Sequence, residues 1–284
     1  MLQWQIGDVR VTRIVELEST GGSRFILPDA TPEACLAIDW LAPHFMDERG
    51  RLHMSVHALV VDTGTRRVLV DTCIGNDKER SIPAWNALQT RFLEDLEAAG
   101  YAPETIDTVL CTHLHVDHVG WNTKRVGDRW VPTFPQARYL FSEREWAHWS
   151  TADEDDYGPV IDDSVRPVVD AGLVDLVADD HVLCEELRLR PTPGHTPGHV
   201  SVEITSKGER ALITGDFVHH PCQLARTDWG SSADSDPAQA RRTREDTLSD
   251  LADEPVLVIG THFAAPTAGW VEAADGGGFR LRVE

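Results

Sequence analysis

Residues 111–122 read CTHLHVDHVGWN, and they follow the short apolar run IDTVL. Four metal-capable side chains, His113, His115, Asp117 and His118, occupy six consecutive positions there. Such a cluster cannot be buried unpaired. The fold must therefore bring partners for it to the end of that strand. In a turn after a strand, His113 and His115 sit two apart and can point the same way. Asp117 and His118 then reach a neighbouring position, so one loop can serve two cations. Neutral imidazole and carboxylate form a zinc-type donor set.

Further donors must come from other strand ends. PTPGHTPGHVS offers His195 and His199, held in a rigid Pro/Gly turn. LITGDFVHH places Asp216 directly after an apolar run, and VLVIGTHF does the same for His262. The rest of the chain alternates strand and helix patterns. DVRVTRIVEL reads as a first strand, and MSVHALVVDTGTRRVLVDTCIGN as a hairpin around a Thr-Gly turn. NALQTRFLEDLEAAG predicts a helix, with Asn86 and Gln89 as a capping box and Gly100 as its stop. ARYLFS predicts a strand leading into a helix through Trp146, and a second helix is expected over roughly 237–252. GWVEAADGGGFRLRVE reads as a closing hairpin. This mixture predicts a layered α/β (α+β) fold in a single domain over 1–284. Within it, residues 20–54 are open to three readings: a lid, a dimerisation contact, or a segment packed on the core. Residues 151–180, with STADEDDYG, are expected to form a solvated acidic insertion with a short helix.

The order HxHxDH, TPGH turn, Gly-Asp after a strand and late His after a strand resembles the metallo-β-lactamase-fold hydrolases over about residues 55–265. That resemblance implies a four-layer αββα sandwich with two divalent metal ions at one sheet edge. Zinc is the first expectation, with manganese, iron or cobalt as alternatives. Carried over by position, one ion takes His113, His115 and His195. The other takes Asp117, His118 and His262, and Asp216 bridges them. Asp71 matches the family's strand-end Asp, which orients a ligand from outside the coordination sphere. His199 is expected beside the ligands rather than among them.

The bridging Asp216 argues against a true β-lactamase, and HVGWN departs from the Gly-Gly of glyoxalase II proteins. In GDFVHH, His219 stands three residues after Asp216, and THFAAPTAGW follows later. Both are similar to the methyl parathion hydrolase and N-acyl-homoserine lactonase branch. The resemblance then implies a metal-bridging hydroxide that opens lactones or cleaves related esters, phosphotriesters included. Asp117 is expected to move a proton and His219 to hold the substrate oxygen. Trp121 and Phe217 are expected to line an apolar pocket, with Trp85 as a weaker candidate. Cys222 is read as a bystander. The rival readings are a mononuclear-iron oxidoreductase resembling persulfide dioxygenases, and a thioester hydrolase.

Charge narrows the substrate. The chain carries 47 acidic against 26 basic residues, a net charge of −21. That field repels nucleic acid and anionic membranes and suits a small uncharged substrate. The five cysteines are scattered and odd in number, with no CxxC, which points to a reducing compartment. The first residues, MLQWQIGDVRVTRIVELE, lack the pattern of a signal peptide, and no run reaches the ~20 apolar residues of a membrane span. A cytoplasmic location is expected, and a homodimer is an open possibility.

Overall fold

The computed structural model describes residues 1–151 and 157–284. Its contacts gather into two compact units, Met1–Glu16 with Val56–Ala178, and Leu17–Ser55 with Asp179–Glu284.

The first unit is built on strands β1 (Gln3–Ile6), β2 (Val9–Thr20), β3 (His53–Asp62), β4 (Arg67–Val70) and β5 (Thr108–Leu110), with a separate hairpin of β6 (Thr123–Val126) and β7 (Arg129–Pro132). Strands β8 (Arg138–Ser142) and β9 (Val174–Val177) complete a sheet ordered β1-β2-β3-β4-β5-β8-β9. Strands β4, β5, β8 and β9 run parallel, with Val70 opposite Leu110 and Leu110 opposite Leu140. Parallel pairing puts their carboxyl ends side by side, the usual place for a site in an α/β sheet. Parallel strands buried on both faces read as continuous apolar runs, and VLV and TVL do so. Phe92, Leu96, Val109, Tyr139, Phe141 and Val165 belong to this unit's buried core.

The second unit holds β10 (Leu187–Pro191), β11 (Val200–Ser206), β12 (Glu209–Ile213), β13 (Val256–Ile259), β14 (Ala268–Ala273) and β15 (Phe279–Arg282), in that order across one sheet. Strands β12 and β13 are its parallel pair, with Ile213 opposite Ile259. Strand β11 runs antiparallel to β12, with Val202 opposite Ile213. The turn 192–199 before β11, the residues after β12 and those after β13 therefore all lie at one edge. A helix, Pro237–Leu251, starts from the Asp236 cap and buries Ala240, Arg244, Thr247, Leu248 and Leu251.

Two expectations change here. The helix expected from Asn86 starts only at Phe92 and runs to Ala98. The Asn86 side chain accepts the Arg80 N–H instead of capping, and Ala87 takes a left-handed φ of 52°. The acidic segment 151–180 falls partly, at 152–156, outside the described residues. Part of the remainder is buried rather than solvated. Asp163 and Ser164 are buried, Val160, Val165 and Val168 join the core, and Val174–Val177 is the edge strand β9. The reason is Asp163, whose carboxylate takes a bidentate pair from Arg80 (2.7 and 2.9 Å) and lies 3.4 Å from Lys78 Nζ. Residues 20–54 contribute to the core of the second unit. Leu27, Cys35, Leu41, Phe45 and Met46 are buried in it. No helix among the described residues is long and apolar enough to cross a membrane.

Candidate metal centre

In the first unit, Asp71 follows β4 and the His cluster follows β5, the neighbouring parallel strand. Asp71 adopts a left-handed φ of 59° and is buried. Its Oδ2 lies 2.9 Å from His118 Nδ1. Its two oxygens accept the Thr112 hydroxyl at 3.1 and 2.9 Å, and Oδ1 also accepts the Thr112 N–H at 2.8 Å. The Thr112 hydroxyl donates to the carboxylate, so its lone pair faces His113 Nδ1, 3.1 Å away. Both imidazoles thus carry their proton on Nδ1 and turn a bare Nε2 outward. His113 Nε2 meets His115 Nδ1 at 3.0 Å, and His118 Nε2 lies 3.7 Å from Asp117 Oδ1. Ring nitrogens converging in this way suit a shared cation.

The second unit repeats the logic. His262 Nδ1 is 2.9 Å from the Ser55 carbonyl, which can only accept, so Nε2 is again the bare nitrogen. His195 Nδ1 is 2.9 Å from Asp234 Oδ1. The two oxygens of Asp216 are shared out. Oδ1 faces His262 Nε2 at 3.2 Å, while Oδ2 faces His219 Nε2 at 3.2 Å and His195 Nε2 at 3.6 Å. Ligand-capable atoms of His195, Asp216 and His219 all fall within 4.8 Å of one another. A carboxylate whose oxygens look toward different imidazole nitrogens has the form of a bridge between two ions. The donor set fits divalent zinc on chemistry and on tautomer alike.

His199 is occupied on both sides. Its Nδ1 lies 2.9 Å from the Thr192 carbonyl, and its Nε2 accepts the Asp216 N–H at 2.7 Å. It holds the backbone of Asp216. Gly215 makes that contact possible: its φ is +56°, and a Cβ there would come within 2.5 Å of His199 Nε2. Gly215→Ala is expected to destabilise the fold by about 1–3 kcal/mol and to weaken metal uptake with it. Urea unfolding of the apoprotein, with zinc titration beside it, checks both effects.

His219 is buried, and neither ring nitrogen hydrogen-bonds to any of the described residues. His220, its neighbour, is different. Its Nε2 donates to the Phe45 carbonyl at 3.0 Å and its Nδ1 accepts the Cys222 N–H at 3.0 Å. Burial holds it neutral, its pKa pushed down to about 3.

Two residues expected at the pocket lie in the buried cores. Trp121 is 5% exposed, stacks on Phe92 at 5.7 Å, and donates from Nε1 to Glu16 Oε1 at 2.6 Å. Phe217 is 1% exposed within the second core. Both are members of the apolar cores. Trp85 is partly buried against the first core. The aromatic neighbours of His115 are instead Trp149, at 5.2 Å between ring centroids, and Tyr157, at 6.5 Å. Glu145 links two of these parts, since its Oε1 accepts both the Leu114 N–H (3.1 Å) and Trp149 Nε1 (2.7 Å). Cys222 is buried, with its thiol pushed well up by burial, so it is no nucleophile.

Against known families, the model of the metallo-beta-lactamase superfamily matches residues 53–262. The chain belongs to that superfamily. An N-acyl homoserine lactonase of a Bacillus species is 30% identical over 129 residues, 45% of this chain and 45% of its own length. One from Bacillus cereus is 24% identical over 178 residues, 58% of this chain and 64% of its own. The chain thus spans about half to two thirds of these curated relatives. Among solved structures, AbOPH, a hydrolase of the beta-lactamase superfamily, superposes with a TM-score of 0.80 at 26% identity, covering 99% of this chain and 97% of that one. AidC, a dizinc quorum-quenching lactonase, also reaches 0.80, at 20% identity over 100% of this chain and 97% of its own, a likeness of fold.

Asp71 apart, the partners of the imidazoles could not be read from the sequence. Asp234 sits in a Ser/Asp-rich stretch that reads as a turn before a helix. The Ser55 acceptor is a backbone carbonyl and has no side-chain signal at all. Glu145 looks like any acidic residue in a first helical turn.

Proposed function

We propose that the chain is a binuclear metal-dependent hydrolase that opens lactones or cleaves related uncharged esters, with phosphotriesters as a neighbouring class. In this reading His113, His115 and His195 hold one ion, Asp117, His118 and His262 hold the other, and Asp216 bridges them. The observation that carries it is the division of the Asp216 oxygens between His262 and the His195/His219 side. The lactonase relatives and the net charge of −21 support the choice of substrate.

Bound cations supply a water nucleophile near neutral pH and a Lewis acid for the carbonyl or phosphoryl oxygen. The chain supplies the rest. The Asp117 side chain is 15% exposed and takes the proton released by the attacking water. His219, whose ring nitrogens hydrogen-bond to none of the described residues, donates to the substrate oxygen. Asp71 and Thr112 keep His113 and His118 in the tautomer that leaves Nε2 bare. Trp149 and Tyr157 give an uncharged substrate an apolar wall beside His115.

Protein purified without added metal is expected to carry two zinc ions per chain. It is expected to turn over lactones or aryl esters from a panel that also holds a phosphotriester and a thioester. His115→Ala is expected to be inactive. One iron per chain with oxygen uptake would replace this reading by an oxidoreductase. A dominant thioesterase activity would move the substrate class, and full activity in His115→Ala would remove the mechanism.

A further inference from the structure

Resting on the metal-centre reading above, we infer that Asp234 and Arg244 form a charge-locked pair that positions His195 and Asp216, and that zinc affinity depends on it. Arg244 projects from the helix Pro237–Leu251 and is fully buried. A guanidinium in that position is expensive to desolvate, and an apolar side chain of similar volume would pack there more favourably. Its contacts indicate what it is kept for. Nε donates to the carbonyl of Phe217, the residue after Asp216, at 3.0 Å. Nη1 donates to the Thr227 carbonyl at 3.0 Å, and Nη2 lies 3.8 Å from Asp234 Oδ2. Asp234 spends Oδ1 on His195 Nδ1 and Oδ2 on the Ser231 N–H, both at 2.9 Å.

The same loop grips His195 by its backbone. The Ser235 N–H donates to the His195 carbonyl at 2.8 Å, and the Asp236 N–H to the Gly194 carbonyl at 2.9 Å. Gly194 has a φ of +129°, and a Cβ on it would lie 2.3 Å from the Ala240 nitrogen. The turn bearing His195 therefore rests directly on the first turns of the helix that carries Arg244. One cation thus pins the main chain beside Asp216 and fixes the carboxylate behind His195. A carboxylate behind an imidazole also makes its outer nitrogen a stronger donor than a carbonyl does.

A merely structural pair would alter stability and leave the zinc affinity of the folded protein untouched. The test measures zinc affinity of the full-length protein by chelator competition, with circular dichroism and melting of the apo form alongside. Asp234→Ala is expected to lower affinity at one of the two sites about 10–100-fold. Asp234→Asn keeps an oxygen for the Nδ1 proton without the charge, so its loss is expected to be smaller, and it carries the test if the alanine variant fails to fold. Arg244→Lys is expected to weaken the same site, because an ammonium cannot span two carbonyls and a carboxylate. In a His195→Ala background, Asp234→Ala is expected to add no further loss. Affinity within about twofold of wild type in a folded Asp234 variant, or losses that add, would overturn the inference. A wild-type protein that takes up no zinc would instead overturn the reading beneath it.

Discussion

Asp216→Ala is expected to drop the zinc content from two ions per chain toward one, and to slow hydrolysis by on the order of 10³-fold, about 4 kcal/mol of barrier. The carboxylate is the group that touches both sides of the second unit's donor set. Its Oδ1 serves the His262 side and its Oδ2 the His195 and His219 side. In the proposed centre, losing it would remove a ligand from each ion at once and leave one of them held by imidazoles alone. Asp216→Asn is the finer variant. It keeps the backbone N–H that His199 Nε2 accepts and keeps the volume, so the circular dichroism spectrum should not change. Metal analysis with kcat on the best substrate of the panel checks the expectation. An Asp216→Ala protein holding two zinc ions with near-wild-type kcat would exclude the bridge.

The second large effect is on stability. Asp163→Ala is expected to cost about 3–5 kcal/mol, because it strands two buried cations. Arg80 loses its bidentate partner, and Lys78, 0% exposed and 3.8 Å over the Trp130 ring, keeps the Thr123 hydroxyl and the residue-163 carbonyl as acceptors among the described residues. Burial, the first cause, already pushes Lys78 down to about 8, with Asp163 working against it. The folded value therefore lies below the unfolded one. Between about pH 8 and 10.5 the unfolded chain binds more protons, so Lys78 makes stability rise with pH across that window. Removing Asp163 lowers the folded value further, so the rise should begin at lower pH in the variant. Urea unfolding at pH 6 and pH 9 tests this: the deficit of Asp163→Ala should be smaller at pH 9. A deficit under about 1 kcal/mol at both would mean that the network is solvated.

The strand ends were legible because each candidate ligand closes an apolar run: TVL before the His cluster, ALI before Thr214–Asp216, VLVI before Gly260–His262. Parallel pairing of β4 with β5 and of β12 with β13 then sets these ends side by side, a consequence of register that the runs themselves imply. What stayed hidden depends on partners far away in the chain. Asp163 looked solvated because Lys78 and Arg80 lie more than eighty residues upstream. Trp121 follows the His motif in sequence, yet its indole turns to Glu16 at the other end of the unit's sequence. Asn86 offered a cap by residue type, but the Arg80 N–H claimed it.

Asp71 governs two imidazoles at once, His118 directly and His113 through the Thr112 hydroxyl. This corner therefore has no half-measures. A shortened side chain at that position would take away the acceptor that keeps both protons on Nδ1. Route-finding by single substitutions around the position would be steep, whereas the solvent-facing strand positions can drift one by one.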